Sequence, residues 1–178
     1  PQVVAVARVQ PRLGVNWGLN AACGDGFTLI TECSTGESPE IVLWGDSYAM
    51  HLAQGLVASA PGVNIIQFTK SVCGPVLGLA PMNVRYPQAW SETCLEFNQQ
   101  VWEWLKRSDT VRYVVMSSTL GQYVSPEGRL YTGESVLEAD RDRAAEQFTA
   151  TMDRIEALGI VPVFVSPPGP AAVREALR

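Results

Sequence analysis

A tight turn between a strand and a helix constrains the fold of this chain more than any other feature. Residues 41–44 form an apolar run, Gly45-Asp46-Ser47 follows it, and a helical pattern begins at once. A serine at this corner lies at the carboxyl end of a strand, where open α/β sheets hold their active sites. Its backbone N–H lies at the positive end of the helix dipole, where it can stabilise an oxyanion. Ser47 is therefore a candidate nucleophile, although Asp46 or Ser47 could equally be a helix N-cap.

The rest of the chain alternates between strand patterns and helix patterns. The predicted buried strands are residues 41–44, 63–68, 111–116 and 160–165. The predicted helices are residues 48–60, 92–106 and 135–158, and long loops are expected at 69–90 and 117–131. Pro162 indicates that the last strand ends there or lies at an edge of the sheet. The alternation predicts an α/β fold with a parallel sheet and right-handed crossovers.

Residues 1–39 do not share this alternation. They are rich in Gly, Pro and Thr, they hold the first two cysteines, and residues 3–7 could be a short strand or the end of a linker. We expect this segment to be a linker or N-terminal extension, with a disulfide loop, that wraps onto the domain. Residues 40–178 are expected to form the domain itself.

Composition excludes several classes of function. The 178 residues are 47% hydrophobic and 17% charged, which fits one folded domain. The net charge is −5 and basic residues do not cluster, so we expect no nucleic-acid partner. No apolar run reaches the roughly 20 residues of a spanning helix, and no signal-peptide pattern opens the sequence, so any targeting information would lie upstream. Four cysteines without a Cys-x-x-Cys pair, and a single histidine, predict no metal site and no cofactor.

The Gly-Asp-Ser turn, with Leu52 five residues after the serine, resembles block I of the SGNH (GDSL-type) hydrolases. Three further features narrow the resemblance to one branch of this family. They are Trp44 before the turn, a cysteine pair before the strand and the Lys-Ser-Val-Cys-Gly-Pro run at 70–75. That branch is the SGNH domain fused behind the membrane-embedded acyltransferase-3 domain of bacterial O-acetyltransferases. It often has histidine directly after the serine, where this chain has Tyr48. The resemblance covers about residues 23–165.

The resemblance implies a three-layer α/β/α fold, SGNH or flavodoxin-like, with a Ser-Asp-His triad whose Asp and His lie in a late Asp-x-x-His motif. This chain has one histidine, His51, and no such motif. We therefore expect the domain to lack its last strand and helix, and this chain alone to have little or no turnover. His51 follows Ser47 by one helical turn, and we expect it to line the pocket or pack on the surface rather than act as the base. Asp46 is expected to hold the turn through side-chain to backbone hydrogen bonds rather than to be the triad acid.

The resemblance also implies an oxyanion hole made by three donors. These are the N–H of the nucleophile, a glycine N–H after the second strand and an asparagine side chain after the third. Gly74 is the nearest match to that glycine, with Ser71 as an alternative. The third loop has no asparagine, so Ser118, Thr119 or Gln122 could substitute or be ordinary loop residues. The possible substrate contacts at this edge of the sheet are Tyr48, His51, Ser118, Thr119 and Tyr123.

The four cysteines allow three pairings. We favour Cys23 with Cys33 and Cys73 with Cys94, because each pair is close in sequence and lies in an irregular segment, and the resemblance supports this choice. Four reduced thiols in a cytosolic core are the alternative. Disulfides indicate an oxidising compartment such as the bacterial periplasm.

The function that the resemblance implies is serine-dependent O-acyl transfer, with acetyl as the expected group. The acceptor would be an exported or cell-surface polysaccharide such as lipopolysaccharide O-antigen. The chain would be the periplasmic domain of a bacterial inner-membrane protein, and its fused membrane acyltransferase domain would deliver the acyl donor. Two alternatives stay open: a secreted carbohydrate esterase with water as acceptor, and a non-catalytic glycan-binding or interaction domain on the same scaffold.

Overall fold

A computed structural model describes residues 14–167. Its strands and helices in chain order are β1 (Asp25–Gly26), β2 (Ile41–Gly45), α1 (Ser47–Ser59), β3 (Ile65–Lys70), β4 (Ala80–Met82), α2 (Gln88–Leu105), β5 (Tyr113–Ser117), β6 (Arg129–Tyr131), β7 (Val136–Glu138), α3 (Arg141–Glu156) and β8 (Val161–Phe164). Short 3-10 turns lie at Ala21–Cys23 before β1, at Thr31–Cys33 before β2 and at Gly121–Tyr123 after β5.

The central sheet has five strands in the order β1-β3-β2-β5-β8. β2, β3, β5 and β8 are parallel, whereas β1 pairs with β3 in the antiparallel direction. The predicted α/β fold with a parallel sheet is therefore confirmed. Gly45 at the end of β2 is in register with Thr69 on β3 and with Ser117 on β5. The carboxyl ends of these three strands consequently meet at one edge of the sheet.

Alternating side chains of the strands divide the core into two layers. Leu43, Ile65 and Val115 pack with α1, which covers one face of the sheet. Val42 and Trp44 belong to the larger cluster on the opposite face, with residues of α2 and α3. The predicted three-layer arrangement of helices and sheet follows from this period-two alternation. β8 is an edge strand of the described sheet, as Pro162 indicated.

The prediction that a helix begins at residue 135 is wrong. Val136–Glu138 forms β7, which pairs with β6, and the helix begins only at Arg141. The Thr132 N–H donates to the Ser135 carbonyl at 3.0 Å and closes the turn between the two strands. Asp140 then caps α3 by accepting a hydrogen bond from the Arg143 N–H at 2.7 Å.

The two long loops of the sequence prediction also contain regular structure. β4 lies within the predicted loop at 69–90 and β6 at the end of the loop at 117–131, and together with β7 they form a three-stranded antiparallel sheet in the order β4-β6-β7. α2 begins at Gln88, earlier than predicted, directly after Pro87. This second sheet packs through Leu130 into a cluster with Tyr123, beside the edge where the three parallel strands end.

The segment before β2 is attached to the central sheet by buried hydrogen bonds. Gln67 accepts a hydrogen bond from the Leu19 N–H at 2.8 Å and donates to the Trp17 carbonyl at 2.8 Å. Thr69 donates to the Cys23 carbonyl at 2.7 Å. Because Gln67 and Thr69 are both fully buried, these bonds satisfy polar groups that water cannot reach. Residues 3–7, for which a strand or a linker end was considered, lie outside the described residues.

Both predicted disulfides are present, Cys23–Cys33 and Cys73–Cys94. The first closes the loop that carries β1, and the second joins the loop after β3 to α2. Among residues 14–167, no helix is both long enough and apolar enough to cross a membrane.

Candidate active site

Ser47 is the first residue of α1 and follows β2 by two positions. Its side chain is partly exposed at the edge where β3, β2 and β5 end. Its backbone N–H lies in the first turn of a helix, where amides have no intrahelical acceptor. Within residues 14–167, no hydrogen bond holds the Ser47 hydroxyl. The Ser47 hydroxyl is therefore accessible and has an N–H donor beside it, as a nucleophile requires. Among these residues, no general base is hydrogen-bonded to it.

Gly45 lets β2 and β5 approach each other directly before the turn. Its φ is 155°, and a Cβ built on it would overlap the carbonyl oxygen of Ser117 and lie 3.0 Å from the Cβ of Ala49. The Asp46 N–H donates to that same Ser117 carbonyl at 3.3 Å. Any side chain at position 45 would push β5 away and would move the turn that carries Ser47.

A cleft of about 170 Å³ opens beside Ser47. The loop after β3 contributes Val72 to it, and the loop after β5 contributes the consecutive residues Ser118 to Tyr123. Asp46 and Tyr48 complete the wall on the side of α1. The cleft thus lies at the carboxyl ends of the strands on either side of β2, which is the usual ligand position in open α/β sheets.

Asp46 joins the turn to the loop after β5. One oxygen of its carboxylate accepts a hydrogen bond from the Tyr48 N–H at 2.8 Å, and the other accepts from the Ser118 hydroxyl at 2.7 Å. The predicted bonding of the Asp46 side chain to the backbone of the turn is confirmed. Burial raises the pKa of the Asp46 carboxyl, and the hydrogen bonds from Ser118 and Tyr48 oppose this shift. Ser118 also accepts the Leu120 N–H at 3.0 Å, so its hydroxyl is already engaged on both sides.

Gly74 is buried beneath the cleft and is not among the residues that line it. Its carbonyl accepts hydrogen bonds from Asn98 Nδ2 at 2.9 Å and from the Tyr123 hydroxyl at 3.2 Å. Val72, two residues earlier, is the member of this loop that reaches the cleft. A role for the Gly74 N–H as an oxyanion donor stays a prediction.

Tyr123, predicted as a possible substrate contact, is only 1% exposed, so little of its side chain is open to a bound molecule. Its ring packs with Val76 and Leu130 in the cluster below the cleft. Burial, followed by the negative charge of Asp46, raises the pKa of the Tyr123 hydroxyl, which therefore remains a hydrogen-bond donor. Tyr123 contributes to the wall of the cleft as a packed residue.

The other predicted contacts divide into two groups. Tyr48 and Thr119 are exposed and line the cleft, so a bound molecule could touch both. His51 is exposed on α1 and is not a lining residue of the cleft; its ring meets that of Tyr48 edge-on, with centroids 6.4 Å apart. This position agrees with the expectation that His51 packs on the surface. Within the described part of the chain, no group of three or more His, Cys, Asp or Glu residues could hold a metal ion.

Asn98 supports the site from α2, and its importance was not foreseen. It is fully buried, and its amide oxygen accepts a hydrogen bond from the Trp44 indole N–H at 2.8 Å. Its amide nitrogen donates to the Gly74 carbonyl at 2.9 Å and to the Val76 carbonyl at 3.1 Å. A polar residue on the buried stripe of α2, between Cys94 and neighbouring apolar positions, was the available signal in the sequence.

Comparison with protein families matches residues 20–178 to the SGNH domain that is fused to AT3 domains. The chain belongs to this family. Comparison with curated proteins and with solved structures gives no match. Membership indicates an acyl-transfer or esterase role within a membrane acyltransferase. It agrees with the observed parallel sheet, the two disulfides and the Gly-Asp-Ser turn that begins α1.

Proposed function

We propose that Ser47 is the nucleophile of an O-acyl transfer reaction, with acetyl as the group transferred and a glycan hydroxyl as the acceptor. The observation that carries the proposal is the position of Ser47. Its partly exposed hydroxyl and its own helix N-terminal N–H share one small cleft at the carboxyl ends of three parallel strands. Acyl transfer requires at least a nucleophile and a donor that stabilises the oxyanion, and Ser47 can supply both.

The reaction has two balanced steps. Ser47 Oγ bonds to the carbonyl carbon of an acyl ester or thioester, and the bond from that carbon to the donor's leaving oxygen or sulfur breaks. The serine proton passes to a general base and then to the leaving atom. A glycan hydroxyl next attacks the acyl-serine ester, gives its proton to the base, and Ser47 Oγ leaves and recovers a proton.

None of the residues that line the described cleft offers a free general base, because none is a histidine and both carboxylate oxygens of Asp46 already accept hydrogen bonds. We expect it in the Asp-x-x-His motif that the family resemblance places later in the protein. The AT3 domain is the expected source of the acyl donor, since this family is described as fused to such domains. The periplasmic side of the inner membrane is the location proposed, and the two disulfides support an oxidising compartment.

The test uses the full-length protein and a serine-directed organophosphonate, followed by transfer of acetyl from a labelled donor to an oligosaccharide. Ser47→Ala should lose labelling and lose transfer by about 10⁴-fold or more, because the remaining groups cannot replace a covalent nucleophile. Ser59→Ala, at the exposed end of the same helix, should keep both. Release of acetate without transfer would favour the esterase. No labelling of the wild-type protein would refute both enzymes and favour the glycan-binding domain.

A further inference from the structure

Two residues with left-handed backbone flank Ser47. Among residues 14–167, Val72 with φ 69° and Leu120 with φ 52° are the only residues other than glycine with positive φ. Both line the cleft beside Ser47. A branched or bulky side chain rarely adopts this conformation, because its Cβ meets the neighbouring carbonyl. Such strained positions concentrate at active sites and ligand clamps, and here both belong to one site.

Each of these conformations is held by anchors on either side. Val72 is the third residue of a turn closed by the Cys73 N–H, which donates to the Lys70 carbonyl at 3.0 Å, and Cys73 is fixed by its disulfide to α2. Leu120 donates its N–H to the Ser118 hydroxyl, which is itself bonded to Asp46. Strain of this kind persists only where the surrounding structure determines it. The fold therefore holds two apolar residues, one from each neighbouring loop, in the cleft beside Ser47.

The topology explains why both residues lie beside the nucleophile. β3 and β5 are the two neighbours of β2 in the sheet, Val72 follows the end of β3 by two residues, and Leu120 follows the end of β5 by three. The cleft between them is about 170 Å³. Pockets that enclose drug-sized ligands are larger, at roughly 300–1,000 Å³. The space beside Ser47 thus suits a short acyl group, with the remainder of the donor outside.

We propose that Val72 and Leu120 determine the length of the acyl group that Ser47 accepts, restricting it to acetyl and similarly short chains. This inference rests on the proposed function of Ser47. Leu120 packs against the buried cluster of Val76, Tyr123 and Leu130 below the cleft. Because protein cores are close-packed, moving this leucine into the cluster to admit a longer chain costs free energy. Exclusion by such an apolar wall changes selectivity by about 10–200-fold for a methylene-sized difference.

The test measures kcat/KM of the full-length protein for p-nitrophenyl acetate, butyrate and hexanoate. Wild type should prefer acetate, and Val72→Ala should raise the ratio of hexanoate to acetate by about tenfold or more. Val72→Gly should give the same change in a variant that folds readily, because glycine adopts positive φ without strain. Val84→Ala, a valine that is 103% exposed and outside the cleft, is the matched control and should leave the ratio within about twofold.

The outcomes separate this inference from the proposed function. If Ser47→Ala hydrolyses the esters as well as wild type, or if wild type neither hydrolyses them nor reacts with an organophosphonate, the proposed function fails and this inference fails with it. If hydrolysis depends on Ser47 but the hexanoate to acetate ratio changes no more in Val72→Ala and Val72→Gly than in Val84→Ala, only the inference is overturned. A wild-type protein that cleaves hexanoate as fast as acetate would overturn it as well.

Discussion

Asn98 is a buried polar residue on α2 whose side chain joins three parts of the core. Its amide is hydrogen-bonded to the Trp44 indole N–H at 2.8 Å, to the Gly74 carbonyl at 2.9 Å and to the Val76 carbonyl at 3.1 Å. Asn98 and Trp44 are both 0% exposed, so water cannot replace these bonds. Asn98→Leu keeps a side chain of similar length in the same space and removes the hydrogen-bond partner of all three groups.

The expected loss of stability follows from the groups that remain without a partner. The Gly74 carbonyl keeps its bonds from the Tyr123 hydroxyl and from the Val76 N–H. Among the described residues, neither the Trp44 indole N–H nor the Val76 carbonyl has another hydrogen-bond partner. Each buried unsatisfied group costs about 1–3 kcal/mol, so Asn98→Leu should lower the free energy of unfolding by about 2–6 kcal/mol. The total stability of a domain is only about 5–15 kcal/mol.

Urea denaturation with both disulfides intact measures this loss. Gln99→Leu is the matched control, since the neighbouring amide is exposed and donates to Glu103 at the surface, and it should change stability by no more than about 0.5 kcal/mol. Trp44→Phe in the Asn98→Leu background removes the N–H that was left unsatisfied, so the double variant should lose less than the sum of the two single variants. A loss below about 1 kcal/mol for Asn98→Leu, or strict additivity with Trp44→Phe, would refute the reasoning.

Two further predictions concern the disulfides and the pH dependence of stability. Alanine at both Cys73 and Cys94 should lower the free energy of unfolding by about 3 kcal/mol and reduce Ser47-dependent acyl transfer, because this bond fixes the loop that lines the cleft. Removing Cys23–Cys33 should lower stability and leave kcat of the folded protein unchanged; an equal loss of kcat in both variants, measured on folded protein, would contradict this. Burial raises the pKa of Asp46, so its contribution to stability is complete below the unfolded pKa of about 3.9 and is lost as pH rises through the folded pKa. The free energy of unfolding of wild type, relative to that of Asp46→Asn, should therefore rise as the pH is lowered from 7 towards 4 in urea denaturation, and a relative fall on acidification would disprove the assignment.

The strand, turn and helix around Ser47 could be predicted because the information is local. A continuous apolar run predicts a strand buried on both faces, and β2 and its neighbours have that pattern. Asp46 next to a helical pattern predicts a cap, and the side chain accepts the Tyr48 N–H as such a cap does. The order of strands and helices then leaves few topologies, because parallel crossovers are right-handed.

The small antiparallel sheet could not be predicted because its strands are short and pair with distant residues. Val136–Glu138 precedes a helix directly, and its apolar positions fit a helical stripe as well as a strand. Pairing with Arg129–Tyr131, and through it with Ala80–Met82, decides the outcome. Such contacts depend on tertiary structure, which overrides local preference for segments of three residues.

The left-handed backbone conformations of Val72 and Leu120 also could not be predicted from the sequence. Positive φ is expected at glycine or asparagine, and neither residue type stands at these positions. The anchors that impose them are a disulfide to α2 and a hydrogen bond between Ser118 and Asp46, which lie 72 positions apart in sequence. Only the folded arrangement shows that both strained residues belong to one cleft.

The loop after β3 forms one wall of the site, yet it has no strand partner to hold its backbone. Side chains of two helices do this instead: Asn98 of α2 binds two of its carbonyls, and Thr151 of α3 accepts the Leu77 N–H at 3.0 Å. Gln147 of α3 donates to the Leu77 carbonyl at 2.7 Å. A catalytic group must be held within about 0.5 Å of its productive position, so these distant side chains contribute to the geometry at Ser47. Changes in α2 and α3 should consequently alter turnover as well as stability, although no residue of either helix lines the cleft.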